Sequence, residues 1–356
     1  MQAAIPQYMR DVNQAAPGHR FGLYFPIWSE KWELEKDLKA KVAEGITLQE
    51  GDNQRLSGLL ARQRGLAIGL GDHVFVAFAK ATAPFVTGMG YEHPLENGFA
   101  FLNPYGLPYL PGSSIKGVLR ASAEELMLDE TIIAELFGDS AQDGKQGALN
   151  FWDVLPQGKL AIDIMTPHYG EYYQGKESPH DAGKPNPIVF LTLAPGASFA
   201  FYVQQIHAVD CDWQAELGKC FDHAFDWLGF GAKTAVGYGA MQWEEDAQEK
   251  FAETQAGVVE QARIEAMSPE QRKLAEIEQK RLGWDHNHGD FLSYVESCMA
   301  TEEALFPKIH QKFCDLLEEY YQGIMANPDA VQGKKQKPKY KDRPKSLAKK
   351  LMALNP

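Results

Sequence analysis

Apolar and polar positions alternate from His73 to Lys80, which is the pattern of a half-buried β-strand. After Pro111 the apolar spacing changes to that of a helix, and a second amphipathic helix is predicted over residues 213–228. Short apolar runs predict five further strands, at residues 148–154, 160–165, 188–193, 199–206 and 240–243. We expect the first two of these to pair with each other, and the next two to form a hairpin.

The predicted elements follow the order strand, helix, strands, helix, strand, which is a split βαβ layout. This order indicates an α+β chain and suits a ferredoxin-like sheet, the fold that the resemblance described below implies for residues 71–243. Residues 1–70 are predicted to be mostly helical. Residues 244–330 are charged and poor in strand-forming residues, which favours a helical extension, and residues 331–356 form a basic tail.

The helix predicted after Pro111 carries the first candidate site. Ser113 or Ser114 is expected to be its N-cap, while Lys116 and Arg120 are four residues apart and therefore share its exposed face. Cations in the first two turns oppose the helix dipole. An anion bound there would reverse that cost, because free N–H groups and both side chains would converge on it. Two ordinary solvated surface charges are the alternative interpretation.

Residues 229–239 read GFGAKTAVGYG and form the second candidate site. Glycines allow positive φ and close approach of a ligand, and successive N–H groups in such a turn can face an anion. Lys233 adds a cation, and Phe230 and Tyr238 add flat faces on which a base can stack. A Walker A loop is excluded because Ala232 stands where the glycine directly before the lysine should be. An ordinary glycine turn between a helix and an edge strand is the alternative.

These two motifs together resemble the RAMP proteins of CRISPR effector complexes. The resemblance rests on PGSSIKGVLR at 111–120 and LGFGAKTAVGYG at 228–239. Between them, TPHYGEYY at 166–173 and PNPIVFL at 185–191 are most similar to the sixth subunit of type III-B (Cmr) complexes. The similarity covers roughly residues 70–243, and its three motifs stand in the family's order.

The resemblance implies an RRM-related domain that grips guide RNA (crRNA) near its 3′ end, at one end of the helical backbone of a complex that targets RNA. It also implies two protein partners, a neighbouring backbone RAMP subunit and a small helical subunit. Guide contacts are implied by position for Ser113, Ser114, Lys116, Arg120, His168, Tyr169, Gly229, Phe230, Gly231, Lys233, Thr234, Gly237, Tyr238 and Gly239. His168 and Tyr169 could equally face a neighbouring subunit. Because the sixth subunit is generally a structural RNA binder, no catalytic residue, metal or cofactor is expected.

The net charge at first argues against binding of nucleic acid. The formal value is −13 over 356 residues, whereas domains that bind phosphate are usually basic. The charge is unevenly distributed, since residues 331–356 contain nine Lys or Arg and one Asp, which gives +8 and leaves −21 for the remainder. This distribution fits a subunit that meets RNA through one face. The tail either follows RNA, docks on an acidic neighbour or simply aids solubility.

Other features of the sequence set the expected compartment. No apolar run approaches the roughly 18 residues of a membrane span, and the N-terminus lacks the charged start and apolar stretch of a signal peptide. The four cysteines show no CxxC spacing. They are therefore expected to be free, buried thiols in a reducing cytoplasm.

Two enzymatic alternatives have a basis in the sequence. Asp139 and Asp143 lie in a glycine-containing loop and are the candidates for a metal-dependent endoribonuclease, although turn chemistry is the usual reason for such residues. His286, His288 and Asp290 spell the start of a metallo-hydrolase motif. Phe291 stands where the final histidine of that motif should be, so a polar loop is the plainer account.

Overall fold

The computed structural model describes residues 3–4, 12–139, 144–166, 175, 178, 187–284, 287–301, 305–329 and 342–354. The chain divides into two compact units, residues 1–255 and residues 256–356. The four-part division expected from the sequence stays a prediction. Within the described residues, no helix has both the length and the apolar character needed to cross a membrane.

Within the described part of the chain, three α-helices precede the first strand of unit 1. They are α1 (Pro17–Gly22), α2 (Lys39–Glu44) and α3 (Glu50–Leu70). A capping box starts α3, because the carboxylate of Asp52 accepts a 2.8 Å hydrogen bond from the Gln49 N–H while the Gln49 side chain accepts from the Asp52 N–H. Asp52 is buried and also pairs with Arg55 at 2.6 Å.

The other elements of unit 1 within the described residues are eight strands and three α-helices. They are β1 (Val74–Ala81), β2 (Phe101–Leu102), β3 (Leu107–Pro108), α4 (Gly112–Glu125), α5 (Glu130–Phe137), β4 (Leu149–Phe151), β5 (Leu160–Met165), β6 (Ile188–Leu193), β7 (Ser198–Gln205), α6 (Trp213–His223) and β8 (Met241–Trp243). A π-helical turn, Ala224–Leu228, extends α6 to the glycine loop.

Four of these strands form the central sheet, in the order β4-β7-β1-β8, and all of its neighbouring strands are antiparallel. Helix α4 connects β1 to β4, and α6 connects β7 to β8. Two split βαβ units joined in this order are the ferredoxin-like arrangement. The predicted α+β, ferredoxin-like fold is therefore confirmed.

Two predicted strand pairings are wrong. Strand β4 pairs with β7 rather than with β5, and β6 pairs with β5 rather than with β7. The turn at Pro195-Gly196 redirects the chain between sheets instead of closing a hairpin. The pairing of β7 with β1 over seven residues favours this arrangement, because it places the side chains of Phe199 and Phe201 in the core. Strands β5 and β6 thus form a separate inserted hairpin, which matters for the candidate site.

The core of unit 1 is rich in aromatic rings. Phe201 lies 5.4 Å from Phe221 and 4.9 Å from Phe230 between ring centroids, and all three side chains are buried. Helices α4 and α6 pack together over this cluster. The Ser122 hydroxyl of α4 donates a buried 2.9 Å hydrogen bond to the carbonyl oxygen of Cys220 in α6, which fixes their relative position.

Unit 2 is helical within the residues that the structure describes. Helix α7 (Glu245–Ala266) crosses the boundary between the units, and it is followed by α8 (Pro269–Trp284), α9 (His288–Thr301), α10 (Phe306–Tyr320) and α11 (Asp342–Ala353). Apolar side chains of α8 to α11 form one core. His310 of α10 lies in that core, 2.8 Å from the carbonyl oxygen of Leu351 in α11. The predicted helical extension is therefore present.

None of the four cysteines, all of which lie in described residues, forms a disulfide bond, as expected from their spacing. Cys220, Cys298 and Cys314 are buried, and Cys211 is partly exposed. Burial raises the pKa of Cys220 to about 11 and that of Cys314 to about 11, so both side chains stay protonated thiols at neutral pH.

Candidate nucleic-acid interface

The glycine loop, residues 229–239, is closed at its base by backbone hydrogen bonds. The Phe230 N–H donates to the Gly239 carbonyl at 3.0 Å, and the Gly239 N–H donates to Pro84 at 2.8 Å. The Ala232 N–H donates to Val86 at 2.7 Å. These bonds tie both limbs of the loop to the segment that follows β1, so the tip projects from an anchored base.

Two of the glycines are required by close packing. Gly231 has φ 94° and Gly239 has φ 70°, a region that L side chains rarely adopt. A Cβ on Gly231 would overlap the carbonyl oxygen of Val86, and one on Gly239 would overlap the carbonyl oxygen of Phe230. The glycines therefore shape the loop itself. As predicted, Gly229 ends the preceding helix, here with φ 69°.

Lys233 holds the only cationic side chain of the loop. Its backbone is left-handed, with φ 61° and ψ 29°, although it is not a glycine. The Lys233 Nζ lies 3.2 Å from the Met165 sulfur and 5.7 Å from the ring centroids of Phe190 and Tyr238. No carboxylate of a described residue lies within 4 Å of it. Soft, uncharged groups therefore orient this ammonium without neutralising it.

Tyr238 fastens the far limb of the loop to the inserted hairpin. Its hydroxyl donates a 2.6 Å hydrogen bond to Oδ2 of Asp163 in β5. Burial, that hydrogen bond and the carboxylate charge together raise the pKa of Tyr238 to about 12, so the phenol stays protonated and keeps donating. The Tyr238 ring also lies 5.9 Å from the Phe190 ring of β6. Its face is therefore partly covered.

Phe230 does not offer a stacking face. Its side chain is 0% exposed and lies among Phe201, Phe221 and Phe225. The ring is pulled inward because the loop begins directly on the core formed by β7 and α6. The stacking role that the sequence suggested for Phe230 does not fit this burial, and its backbone contributes to the loop closure instead.

The tip of the loop keeps polar backbone groups available. A 3₁₀ turn, Thr234–Val236, forms there, with the Val236 N–H donating to Lys233 and the Gly237 N–H donating to Thr234. The N–H groups of Thr234 and Ala235 donate to no carbonyl of a described residue. Ala235, Val236 and Gly237 are exposed. The tip therefore presents unused donors beside the Lys233 ammonium, which is suitable for an anion.

The start of α4 differs from the prediction. The helix begins at Gly112 with Pro111 as N-cap, so neither Ser113 nor Ser114 caps it. The carboxylate of Asp153 accepts the Gly112 N–H at 2.8 Å and takes that role. A Cβ at Gly112 would overlap the carbonyl oxygen of Phe151, which explains why the first helical residue is a glycine. Ser113 and Ser114 are exposed within the first turn.

Lys116 and Arg120 are not equivalent. The Arg120 guanidinium pairs with Glu124 at 3.0 Å and donates to the Gly138 carbonyl oxygen at 2.9 Å, so it supports the loop after α5. Lys116 is half-buried and has no ion-pair partner among the described residues. Arg120 thus already has structural contacts, which distinguishes it from Lys116. The phosphate contacts expected for both side chains stay predictions.

His168 and Tyr169 lie outside the described residues. The two strands that border their segment are described, and both reach the glycine loop. Met165 ends β5 against Lys233, and Phe190 of β6 lies beneath the Lys233 ammonium. The inserted hairpin and the glycine loop therefore meet at one place in the fold.

Three residues of this site were missed from the sequence: Asp163, Met165 and Phe190. They belong to a strand pair whose register brings Asp163 opposite Phe190 and Met165 opposite Ile188. No local motif marks Asp163 or Met165, and Phe190 lies in the PNPIVFL segment without a role of its own being assigned to it. Their only signal is a polar residue, Asp163, between apolar neighbours, and this signal gains meaning once the β5–β6 pairing is known.

The residues of the two enzymatic alternatives have structural contacts. The Asp139 N–H donates to the Lys145 carbonyl at 3.1 Å in the loop that Arg120 supports, and Asp143 lies outside the described residues. The His288 ring stacks on Tyr320 at 4.5 Å, and Asp290 accepts a hydrogen bond from the Asn287 side chain, while His286 is not described. Among the described residues, no group of three or more His, Cys, Asp or Glu side chains could hold a metal ion.

Comparison with known proteins gives three kinds of similarity. The RAMP superfamily model matches residues 78–242. The CRISPR system CMR subunit Cmr6 of Saccharolobus solfataricus is 32% identical over 152 residues, which cover 41% of this chain and 49% of that protein. The Cmr6 subunit of Pyrococcus furiosus is 27% identical over 233 residues, which cover 48% of this chain and 68% of that protein. The chain thus spans about half the length of the first relative.

Solved structures give partial similarities. A chain in the cryo-EM structure of the type III-B Cmr-beta complex bound to cognate target RNA is 26% identical, with a TM-score of 0.47, and the match covers 59% of this chain and 72% of that one. The crystal structure of Cmr6 from P. furiosus is also 26% identical, with a TM-score of 0.32 and coverage of 48% and 98%. The sequence matches are the basis for a family comparison: residues 78–242 match the RAMP superfamily model, and the chain is similar to Cmr6 subunits.

Proposed function

We propose that this protein is a non-catalytic subunit that binds guide RNA (crRNA) at the end of the backbone of a type III-B Cmr ribonucleoprotein. Its relatives named Cmr6 and the RAMP match over the ferredoxin-like unit support this assignment. In this role it would contact a neighbouring backbone RAMP subunit and the small helical subunit, in a cytoplasmic complex that recognises target RNA.

The observation that carries the proposal is the environment of Lys233. Its ammonium contacts a thioether and two aromatic rings, and no described carboxylate lies within 4 Å of it. A cation oriented in this way retains N–H donors for an external anion. The unused N–H groups of Thr234 and Ala235 lie in the next two residues. One phosphate of an RNA backbone would satisfy both the charge and the donors.

Lys116 supplies a second phosphate contact in this proposal, and the Ser113 and Ser114 hydroxyls supply neutral ones. Arg120 has a supporting role, because Glu124 and Gly138 already occupy its guanidinium. The net charge of −21 over residues 1–330 disfavours non-specific RNA binding, because it repels phosphates from the rest of the surface.

The test is the salt dependence of binding between the full chain and a fluorescent single-stranded RNA. Each phosphate contact that is lost lowers the slope of log K against log salt by about 0.7 for a single strand. We expect Lys233→Ala to lower the slope by about that amount and to weaken binding. Lys219→Ala is the matched control, because Lys219 is paired with Glu216 at 2.8 Å. An unchanged slope in Lys233→Ala would contradict the proposed site.

Two further measurements test the remaining parts of the proposal. The purified chain should co-purify with repeat-derived guide RNA and Cmr subunits from its host, and a preparation free of both would contradict the assembly role. Incubation of the chain with RNA and Mg²⁺ or Mn²⁺ should leave the RNA intact. Cleavage that is lost in chelator and in Asp139→Ala would instead establish the endoribonuclease alternative.

A further inference from the structure

The end of α6 changes its helical phase just before the glycine loop. Buried positions recur along the helix at Leu217, Phe221 and Ala224. Continued α-helical spacing would place Trp227 on the same buried side, three residues after Ala224. The turn over Ala224–Leu228 is π-helical instead, and the Gly229 N–H donates to the carbonyl of Ala224, five residues back, at 2.8 Å. The extra residue in that turn rotates Trp227 outward.

Trp227 is consequently 78% exposed, the most exposed of the tryptophans. Its neighbours along the chain behave in the opposite way, because Phe225 and Phe230 are both buried in the core. An indole is among the largest apolar groups that a protein can bury, so solvent exposure forfeits a large favourable contribution. Single-turn π segments occur frequently at functional sites. The turn therefore presents a flat aromatic face that the core could have used.

The position of Trp227 places it at the base of the candidate RNA-binding loop. Gly229, two residues further on, packs against the carbonyl oxygens of Tyr238 and Gly239 at the other limb of the loop, since a Cβ there would lie 3.2 Å from each. Consecutive Cα atoms are about 3.8 Å apart, so Trp227 lies within one nucleotide's reach of this limb. The loop that starts here carries the unneutralised Lys233 ammonium.

We propose that Trp227 stacks on a base of the single-stranded RNA whose phosphate is held by Lys233. This inference rests on the proposed RNA-binding function. The exposed Asp226 beside Trp227 disfavours a phosphate at the indole, so the uncharged base is the part of the nucleotide that contacts it. Stacking on an aromatic ring tolerates every base, which suits a protein that must hold guides of different sequence.

The experiment compares binding of two RNAs of equal length to the full chain, one normal and one with abasic nucleotides. Loss of one base–aromatic stack weakens binding by roughly 5- to 150-fold. We expect Trp227→Ala to show this loss with normal RNA and no loss with abasic RNA. Trp227→Phe should retain most of the affinity, because it keeps a ring. Trp32→Ala, which removes another exposed tryptophan (54% exposed), is the matched control and should bind like the parent.

Failure of this inference is distinguishable from failure of the proposed function. If Lys233→Ala weakens binding of both RNAs while Trp227→Ala binds normal RNA like the parent, stacking is overturned and the RNA site stands. If neither variant changes binding, the proposed function fails as well. An equal loss with normal and abasic RNA in Trp227→Ala would identify a structural role and overturn stacking. Normal RNA binding with loss of co-purifying subunits would show that the indole contacts protein instead.

Discussion

The Tyr238 hydroxyl donates a 2.6 Å hydrogen bond to Asp163, and this bond joins the glycine loop to the inserted β5–β6 hairpin. Phe190 from the same hairpin lies next to both Tyr238 and Lys233. The hairpin is therefore part of the candidate site, since it fixes the ring and the cation that face the proposed RNA.

Removal of this hydroxyl should loosen the loop. We expect Tyr238→Phe to lower the free energy of unfolding by about 1 kcal/mol, because Asp163 loses a charge-assisted hydrogen bond. RNA binding should weaken as well. Asp163→Asn retains a carbonyl oxygen that can accept from Tyr238, so its loss should be smaller. Urea unfolding and RNA titration of both variants measure these effects, and a larger loss in Asp163→Asn would contradict the assigned role.

The glycines of the loop and of α4 should respond differently to alanine. Gly239→Ala introduces a Cβ at φ 70° that overlaps the Phe230 carbonyl oxygen, and we expect a loss of more than about 2 kcal/mol. A Cβ added to Gly117, inside α4, would meet no neighbouring atom within 4 Å, so Gly117→Ala should be neutral or stabilise the protein by up to about 1 kcal/mol. Thermal unfolding distinguishes the two, and equal melting temperatures would contradict the close packing of the loop.

Substitution of Arg120 should affect mainly stability, whereas substitution of Lys116 should affect mainly RNA binding. Arg120→Ala removes the contacts to Glu124 and Gly138, and we expect it to cost about 1 kcal/mol in unfolding free energy. Lys116→Ala should leave stability within about 0.5 kcal/mol and reduce the salt slope of RNA binding by about 0.7. Each variant is therefore the control for the other. The reverse pattern would restore Arg120 as a phosphate ligand.

His93 should make stability depend on pH. Its ring stacks on Phe21 at 3.8 Å, Nε2 lies 2.9 Å from the Phe21 carbonyl oxygen, and Nδ1 accepts the Leu95 N–H at 3.1 Å. Burial lowers the pKa of His93, although the bond to Phe21 opposes the shift and the Lys39 charge adds to it. The folded state therefore holds its proton less tightly than the unfolded state, whose histidine has a pKa of about 6.5.

The sign of the resulting pH dependence follows from this difference. The contribution of His93 to the free energy of unfolding is fully present above about pH 6.5. It is lost as the pH falls through the lowered pKa of the folded state, because the unfolded chain binds a proton more readily than the folded protein does. We expect the urea concentration at the unfolding midpoint to decrease as the pH is lowered from 8 to 5. This decrease should be smaller in His93→Gln. His207→Gln, which changes an exposed histidine, should keep the parental dependence.

The sequence by itself determined the ferredoxin-like layout and the two candidate motifs. Strand and helix periodicities are local properties, and a glycine run between a helix and a strand is visible without tertiary structure. The strand pairings, in contrast, depend on contacts between residues that are distant in the sequence. Pro195-Gly196 lies between two buried strands and predicts a hairpin. In the structure, β7 instead pairs with β1 in the central sheet, and β6 pairs with β5.

Only the tertiary structure decided which side chains remain available to a ligand. Phe230 and Trp227 look alike in the sequence, yet one is buried against Phe201 while a π-helical turn rotates the other into solvent. Arg120 and Lys116 likewise share a helical face, but the Gly138 carbonyl reaches only Arg120. Burial and partner choice depend on contacts between residues distant in sequence, so no local pattern could reveal them.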